Sequence, residues 1–372
     1  MPTRANNSIG NELVSVMIDG KAHSQWESYD IDSDLMTPAD AWQVSIGLKT
    51  NQLPDFVQPW ALVEVKVGND TVLTGRVDEI TDSVDKHDHS LNLSGRDYAA
   101  ILVDCAAPIF STRSATLAEI AAKVVKPLGL HKVKIDAKTS STREKISVEP
   151  GDRAWDVLQN AAEANGLWPW FSPDGTLIIG GPDYDTPPVA TIIMRRDGVG
   201  NNAISISRSR NVSNHFSSIT VLGQTHGTET ATGKHNIKAE AKDDGVTFNR
   251  PQIIIDHEVD NSALAKSRAR KLMADSKLSA FDLTIIVSGH RVAPNGLLWQ
   301  PGQRIQAESE PHGIKGVFFL MGRRFTKSRA NGTKTELRLK LDKLWTLDAH
   351  PHKRRHRKGK NDIGAGEIVS VN

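Results

Sequence analysis

LVEVKVGNDTVLTGRVDEITDSVDKHDHSLNLSGRD, Leu62 to Asp97, is the stretch whose reading decides the fold. Val63, Val65 and Val67 alternate with Glu64 and Lys66, the period-two pattern of a half-buried strand. Gly68-Asn69-Asp70 then supplies residues that tolerate the backbone of a tight turn. A second strand runs from Thr71 to Leu73, Gly75 interrupts it as a glycine does at a bulge or barrel corner where a side chain would not fit, and Arg76 to Ile80 resumes it. Leu91 and Leu93 mark a further strand that ends at Ser94-Gly95-Arg96-Asp97. The stretch reads as consecutive strands closing a small barrel, and it carries almost no catalytic chemistry.

Toward the amino terminus, Leu13 to Ile18 runs into the hairpin signal Asp19-Gly20, and Trp42, Val44, Ile46 and Leu48 alternate with Gln43, Ser45 and Gly47. Residues 1–104 therefore read as an all-β, first barrel domain. The composition then changes. Thr116-Leu117-Ala118-Glu119 is a capping box, and the helix it opens carries Leu117, Ile120, Ala121, Val124 and Val125 on one face before Pro127 and Gly129 stop it. A second helix follows, with Asp152 as its expected N-cap, an apolar stripe of Ala154, Val157, Leu158, Ala161 and Ala162, and Asn165-Gly166 at its end. A tryptophan-rich hairpin turning at Pro173-Asp174-Gly175 completes a small α/β insert over residues 105–182.

Pro182 to Pro188 reads as a linker, and strands return over residues 183–348, a second barrel domain. They are expected at Ala203–Ser207, Ser218–Leu222, Ile253–Ile255, Leu283–Val287, Arg304–Ala307, Val317–Met321 and Glu336–Leu341, with a loop from Gly223 to Arg250 and a helix near Ser262–Lys277. Residues 349–372 read as a basic flexible tail. The fold class is thus mainly β with α+β inserts: two β-barrel domains plus a small α/β insert.

LTGRVDEI (Leu73–Ile80) followed by LNLSGRDYAAIL (Leu91–Leu102) resembles the first barrel of the central baseplate hub proteins of contractile-tailed phages, the late control D group with its Mu-like hubs. The helix that ends in glycine and feeds a hairpin with a DG turn, Val148 to Gly180, resembles the insert of the same family, in family order. The series LLWQPGQRIQAES, GVFFLMGRRFTKS and NGTKTELRLKL resembles its closing strands, so that the resemblance spans roughly Leu62 to Leu341. No simple sequence repeat links the two barrels.

The resemblance implies a ring-forming homotrimer in which six barrels surround a central passage, a hub that joins a tail spike protein to the tail tube. Its implied partners are the spike, tail tube or tube-initiator proteins and baseplate wedge proteins, with transient non-specific DNA contact during genome ejection. A late protein of the virion tail baseplate, assembled in the host cytoplasm, is the implied setting. Two other readings are a type VI secretion or tailocin hub component, ranked lower because no needle-like repeat follows residue 372, and a tail-associated wall-degrading enzyme.

Composition agrees with an assembly part. Among 372 residues 24% are charged and 5% aromatic, and no window approaches the roughly 20 apolar residues that span a bilayer, so no membrane insertion is expected. The first residues lack the pattern of a secretory signal, which points to synthesis in a cytoplasm. The single cysteine, Cys105, excludes an intrachain disulfide and reads as a small buried apolar residue. Net charge is +2, but residues 1–352 carry 40 basic against 42 acidic groups. The excess sits in HPHKRRHRKGK, where Lys353, Arg354, Arg355, Arg357, Lys358 and Lys360 are candidates for non-specific DNA or partner contact.

No residue set reads as catalytic, as a cofactor site or as a metal site. His87-Asp88-His89 could place two imidazoles on one strand face, but no third ligand can be assigned, and a solvated turn is the favoured reading. His350, His352 and His356 belong to the basic tail. GTETATGKH, Gly227 to His235, has five residues between its glycines where a phosphate-binding loop has four, and a histidine where that loop has Ser or Thr. Asp183/Asp185 and Asp243/Asp244 are carboxylate pairs without a recognisable enzymatic context. Lys266, Arg268, Arg270, Lys271 and Lys277 make the helix at Ser262–Lys277 basic; packing through Leu264 and Leu272 with the charges in water is favoured over a DNA-facing surface.

Overall fold

The computed structural model describes residues 12–47, 57–86, 89–135, 143–163, 165–223, 237–256, 259, 261–292, 296–345, 347 and 368–370. The first half holds β1 (Val14–Ile18), β2 (Lys21–His23), β3 (Ser28–Asp34), β4 (Ala41–Gly47), β5 (Leu62–Val67), β6 (Asp70–Val84) and β7 (His89–Asp97). The insert follows with α1 (Ala99–Asp104), β8 (Ser111–Ala115), α2 (Leu117–Val125), β9 (Lys132–Ile135), β10 (Arg143–Ser147), α3 (Ala154–Glu163), β11 (Trp168–Phe171) and β12 (Leu177–Gly180). Beyond it lie β13 (Ala190–Met194), β14 (Ser205–Arg210), β15 (Ser218–Gly223), β16 (Ile237–Lys242), β17 (Pro251–Ile255), α4 (Ser262–Ser279), β18 (Phe281–Ser288), β19 (Arg304–Ser309), β20 (Ile314–Ser328) and β21 (Gly332–Leu341). A last strand, β22 (Ile368–Ser370), pairs antiparallel with β9 within the span read as a flexible tail.

The chain is mainly β, and its centre is one 13-stranded sheet that takes strands from both halves, in the order β14-β18-β21-β20-β3-β4-β7-β6-β5-β1-β2, with β13 and β19 branching at β20. β3 and β20 make the seam, pairing Gly322–Lys327 with Asp34–Tyr29. One row of cross-strand neighbours crosses it without a break: Val287, Thr335, Phe325, Ile31, Trp42, Gly95 and Val77. All are buried, and most belong to a single hydrophobic cluster. Because side chains directly opposite on a sheet share a face, the alternation in each strand aligns the two halves on one core.

The strand expected to break at Gly75 runs on: β6 spans 15 residues. Its early part pairs with β5 and its later part with β7, and only the segment around Gly75 and Arg76 is flanked on both sides. A Cβ on Gly75 would run into the carbonyl oxygen of Arg96, and one on Gly95 into that of Arg76. The two Gly-Arg pairs of the opening stretch therefore serve one close strand crossing: a side chain does not fit at Gly75, as expected, but the strand passes through without the expected interruption. β20 mirrors this plan in the second half, with 15 residues, a shift in register between Leu320 and Gly322, and its own Leu320-Met321-Gly322-Arg323 beside Leu73-Thr74-Gly75-Arg76.

The insert packs α2 and α3 on β9, β11 and β12 around its own core. Thr116 and Glu119 form the expected capping box. Asp152 departs from its expected N-cap role: its carboxylate accepts from the Glu149 N–H at 2.8 Å, closing the turn before α3. Cys105 is only half-buried, because it follows the last residue of α1, where its N–H bonds the Ile101 carbonyl. A third unit packs α4 on the sheet β16-β15-β17 through Ala265 and Ala269, with Leu264 and Leu272 at the margin. Its β16 lies inside the span read as a loop; alternation of Ile237 and Ala239 with Lys238 and Glu240 was the available signal, muted by alanine's poor strand preference.

Candidate assembly surface

From β14 to β6 the sheet contains eight consecutive strands, each antiparallel to the next. The face opposite the core carries another unbroken row: Ser288, Lys334, Thr326, Asp30, Gln43, Ser94 and Glu79. Short hydroxyl and amide side chains dominate this face, and many of its charges are paired within the sheet. Arg324 binds Asp30, with Nε at 2.8 Å from one oxygen. Arg338 bridges Asp32 and Asp34, at 2.5 and 3.1 Å. Lys340 reaches Asp282 at 2.6 Å, and Arg96 holds both Asp78 at 2.6 Å and Asp104 at 2.7 Å. The aspartates of β3 thus face arginines of β20 and β21 across the seam, a ladder that follows from Asp30, Asp32 and Asp34 falling on alternate positions.

Beneath the ladder, Arg323 is 1% exposed and lies 3.9 Å from the centroid of the Phe325 ring. Asp40 and Asp97 lie near it. Asp40 accepts from the Ser33 hydroxyl and, at 3.0 Å, from the Asp34 N–H. Burial pushes its carboxyl up to about 6, with Arg323 pulling the other way. Asp97 is raised well above the carboxylate range by burial and by the neighbouring Asp40, although its Oδ1 accepts from the Ala99 N–H at 3.0 Å. Burial lowers Arg323 to about 10. These groups line a cavity of about 230 Å³ that the insert also borders, through Trp170 and Pro173.

Other bonds fix the three parts together. Tyr29 Oη lies 2.8 Å from His290 Nε2, and Arg291 donates to the Val67 carbonyl and to Asp70. Burial lowers His290 to about 3, which keeps it neutral. The insert's hairpin turn docks on the first half where Thr74 donates to the Pro173 carbonyl at 2.7 Å, and Trp168 Nε1 donates to the Leu35 carbonyl.

Among the described residues the run has two open edges. Past Val77, β6 keeps β7 on one side, and among the described residues Asp78–Val84 have no strand on the other. At the far end, among the described residues, β14 pairs only with β18. Unpaired strand edges are joining surfaces. The alternation that placed these strands was readable in the sequence, but not which edges stay open.

The sequence-derived candidates fall elsewhere. Lys353, Arg354, Arg355, Arg357, Lys358 and Lys360 lie outside the described residues, as do His350, His352, His356, His87, Asp88 and the Gly227–His235 segment. His89 begins β7 and lies 2.6 Å from Asp82. Among the described residues no three His, Cys, Asp or Glu side chains are grouped to hold a metal. The charges of α4 are largely engaged, contrary to a basic face standing in water: Arg268 binds Asp256, Lys271 is buried against Asp275, and Lys277 binds Asp243. Asp243 also lies 2.6 Å from His215, so it serves as a structural anchor. Asp183 caps its own turn, accepting from the Asp185 N–H at 2.8 Å.

Comparison with known proteins matches the chain in four successive segments. Residues 13–97 fit the model of the Mu phage baseplate assembly protein GpP-like N-terminal domain, and 99–181 the second domain of baseplate hub protein gp44-like proteins. Residues 215–273 and 275–344 fit the third domain of NMB1110-like tail proteins and the corresponding C-terminal domain. The tail protein from Neisseria meningitidis MC58 is 40% identical, with a TM-score of 0.81 over 91% of this chain and 99% of that one. The 43 kDa tail protein of prophage MuSo2 from Shewanella oneidensis is 24% identical, with a TM-score of 0.79 over 90% of this chain and 100% of that one. Baseplate hub protein gp44 of Escherichia phage Mu is 22% identical over 374 residues, 96% of each chain.

Proposed function

The chain belongs to the Mu-type family of phage baseplate hub and tail proteins, structural parts of the virion tail and not enzymes, and on that premise we propose that it forms the central trimeric hub of a contractile-tail baseplate. The hub joins the spike to the tail tube, contacts tube-initiator and wedge proteins, and surrounds the passage taken by DNA during ejection. The observation that carries this reading is the eight-strand antiparallel run with an open edge at each end. Eight is even, so the open stretch of β6 and the edge β14 run in opposite directions. A second copy adding its β14 along Asp78–Val84 continues the alternation without a break. Such a contact is head-to-tail, and head-to-tail contacts close into a ring when the rotation from copy to copy divides the full turn, as a third of a turn does in a trimer.

The ion-pair ladder supports the same reading. It holds the two halves rigidly enough for one copy to keep a fixed curvature, and it neutralises charges on the polar face. A wall of paired charges and short hydroxyls offers DNA few free cations, whereas free lysines and arginines bind phosphate strongly. The basic residues Lys353 to Lys360 supply separate, salt-sensitive contact with DNA or an acidic neighbour.

Cysteine pairing tests the joint. In a Cys105→Ser background, a Thr81→Cys chain is mixed with a Ser207→Cys chain and treated with a short bifunctional thiol reagent. Cross-linked chains in the mixture, and closed trimers when both cysteines are on one chain, are expected. A mixture that yields no more cross-links than either chain alone refutes edge-to-edge closure.

A further inference from the structure

Trp60 is the most exposed large apolar side chain among the described residues, at 73%, and its backbone is left-handed, with φ of 73°. That conformation is costly for a bulky residue and persists only where the surroundings fix it. Here they do: the Trp60 N–H donates to the Val77 carbonyl at 2.9 Å, and Arg76 Nη1 donates to the Trp60 carbonyl at 2.7 Å. The fold therefore holds a tryptophan outward on a rigid strand edge, next to Leu62, itself 47% exposed. Among the described residues no ring contact or hydrogen bond engages the indole itself. Val77 is also the last β6 residue bonded on that side, so Trp60 stands where the open edge begins.

Resting on the ring reading above, we infer that Trp60 anchors the joint between copies and that its contact is Arg210 of a second copy of this chain. Direction decides the partner. A β14 strand laid antiparallel along Asp78–Val84 brings its carboxy-terminal end, not its amino-terminal end, to Asp78 and Trp60. That end carries Arg208 and Arg210, and the receiving end carries Glu79 beside Asp78, which Arg96 already holds, so Glu79 is the acid left to complement the incoming charge. Arg208 already donates to the His312 carbonyl at 2.9 Å. The Arg210 side chain is exposed and has no partner among the described residues. A guanidinium lies favourably on an indole face, and the pair becomes stronger when water is excluded.

The test measures association by sedimentation for the full chain and for Trp60→Asn, Arg210→Ser and the double variant, beside thermal melts. Asparagine tolerates the left-handed backbone, so Trp60→Asn keeps or raises the melting temperature while weakening association on the order of thirtyfold, as loss of an interface hot spot does. Arg210→Ser weakens association as well, and the double variant is no weaker than Trp60→Asn alone, because both changes remove one contact. If the full chain assembles and both single variants associate within about twofold of it, the anchor is refuted while the ring stands. A drop in melting temperature for Trp60→Asn with unchanged association assigns Trp60 to the fold and also refutes the anchor. If the full chain remains a single chain at every concentration, the ring reading itself fails.

Discussion

Replacing Arg323 with methionine removes a cation from the seam while keeping most of its apolar contact with Phe325. Arg323 is almost wholly enclosed, and its hydrogen bonds to the Ile31 and Val72 carbonyls are long, at 3.5 and 3.3 Å. Its main role is therefore electrostatic, as the cation that offsets Asp40 and Asp32. Removing one member of a buried charge set costs about 3–5 kcal/mol, and the lower end, about 3 kcal/mol, applies because Asp40 opens onto the cavity. The loss depends on pH with a definite sign. Asp40 holds its proton more tightly when folded, at about 6 against 3.8, so its ionisation costs stability as pH rises through that window. Without Arg323 the folded value moves higher still, and the penalty extends into the neutral range. Urea unfolding followed by tryptophan fluorescence should give a loss of about 3 kcal/mol near pH 7.5, of which up to about 2 kcal/mol disappears near pH 5, where Asp40 is mostly protonated in both folded proteins; a carboxyl already at about 6 can carry no larger pH-dependent share. An equal loss at both pH values, or one below about 1 kcal/mol near pH 7.5, refutes the electrostatic account of this residue.

Two further changes probe the seam and the strand crossing. Arg338→Gln should cost about 1–2 kcal/mol in urea melts, modest because the side chain is 28% exposed, and adding Asp32→Asn should cost little more since the two share a bond; simple additivity counts against the ladder. Gly75→Ala should cost at least about 2 kcal/mol in thermal unfolding, because β5 and β7 both border the glycine and the Arg96 carbonyl cannot move aside; a loss under about 0.5 kcal/mol would show that the crossing is loose.

Much of the strand framework was legible from alternation. Val63, Val65 and Val67 are buried and Glu64 and Lys66 less so, as their spacing indicated. The capping box at Thr116 and the turn at Gly175, with φ of 77°, were equally local, since each depends on neighbours within a few residues. One departure came from pairing that only the folded chain supplies: Gly75 was expected to interrupt its strand, but β6 passes there from β5 to β7, and the closeness of the Arg96 carbonyl is invisible in the chain order. The other was local: the Asp152 carboxylate turns back to the Glu149 N–H three residues earlier, a turn bond that competes with capping.

The sequence by itself determined that this is a β-rich chain with a helical insert and pointed, through its motifs, to a baseplate hub. Periodicity and turn chemistry are encoded by residues close along the chain. Only the tertiary structure decided that β3 and β20 join the two halves into one sheet, that Asp30, Asp32 and Asp34 meet arginines some 300 positions away, and that two edges remain open. The physical reason is that hydrogen-bond pairing between strands and the pairing of charges depend on proximity in space. A strand's own sequence specifies which face it buries, and it leaves open which neighbour it will find.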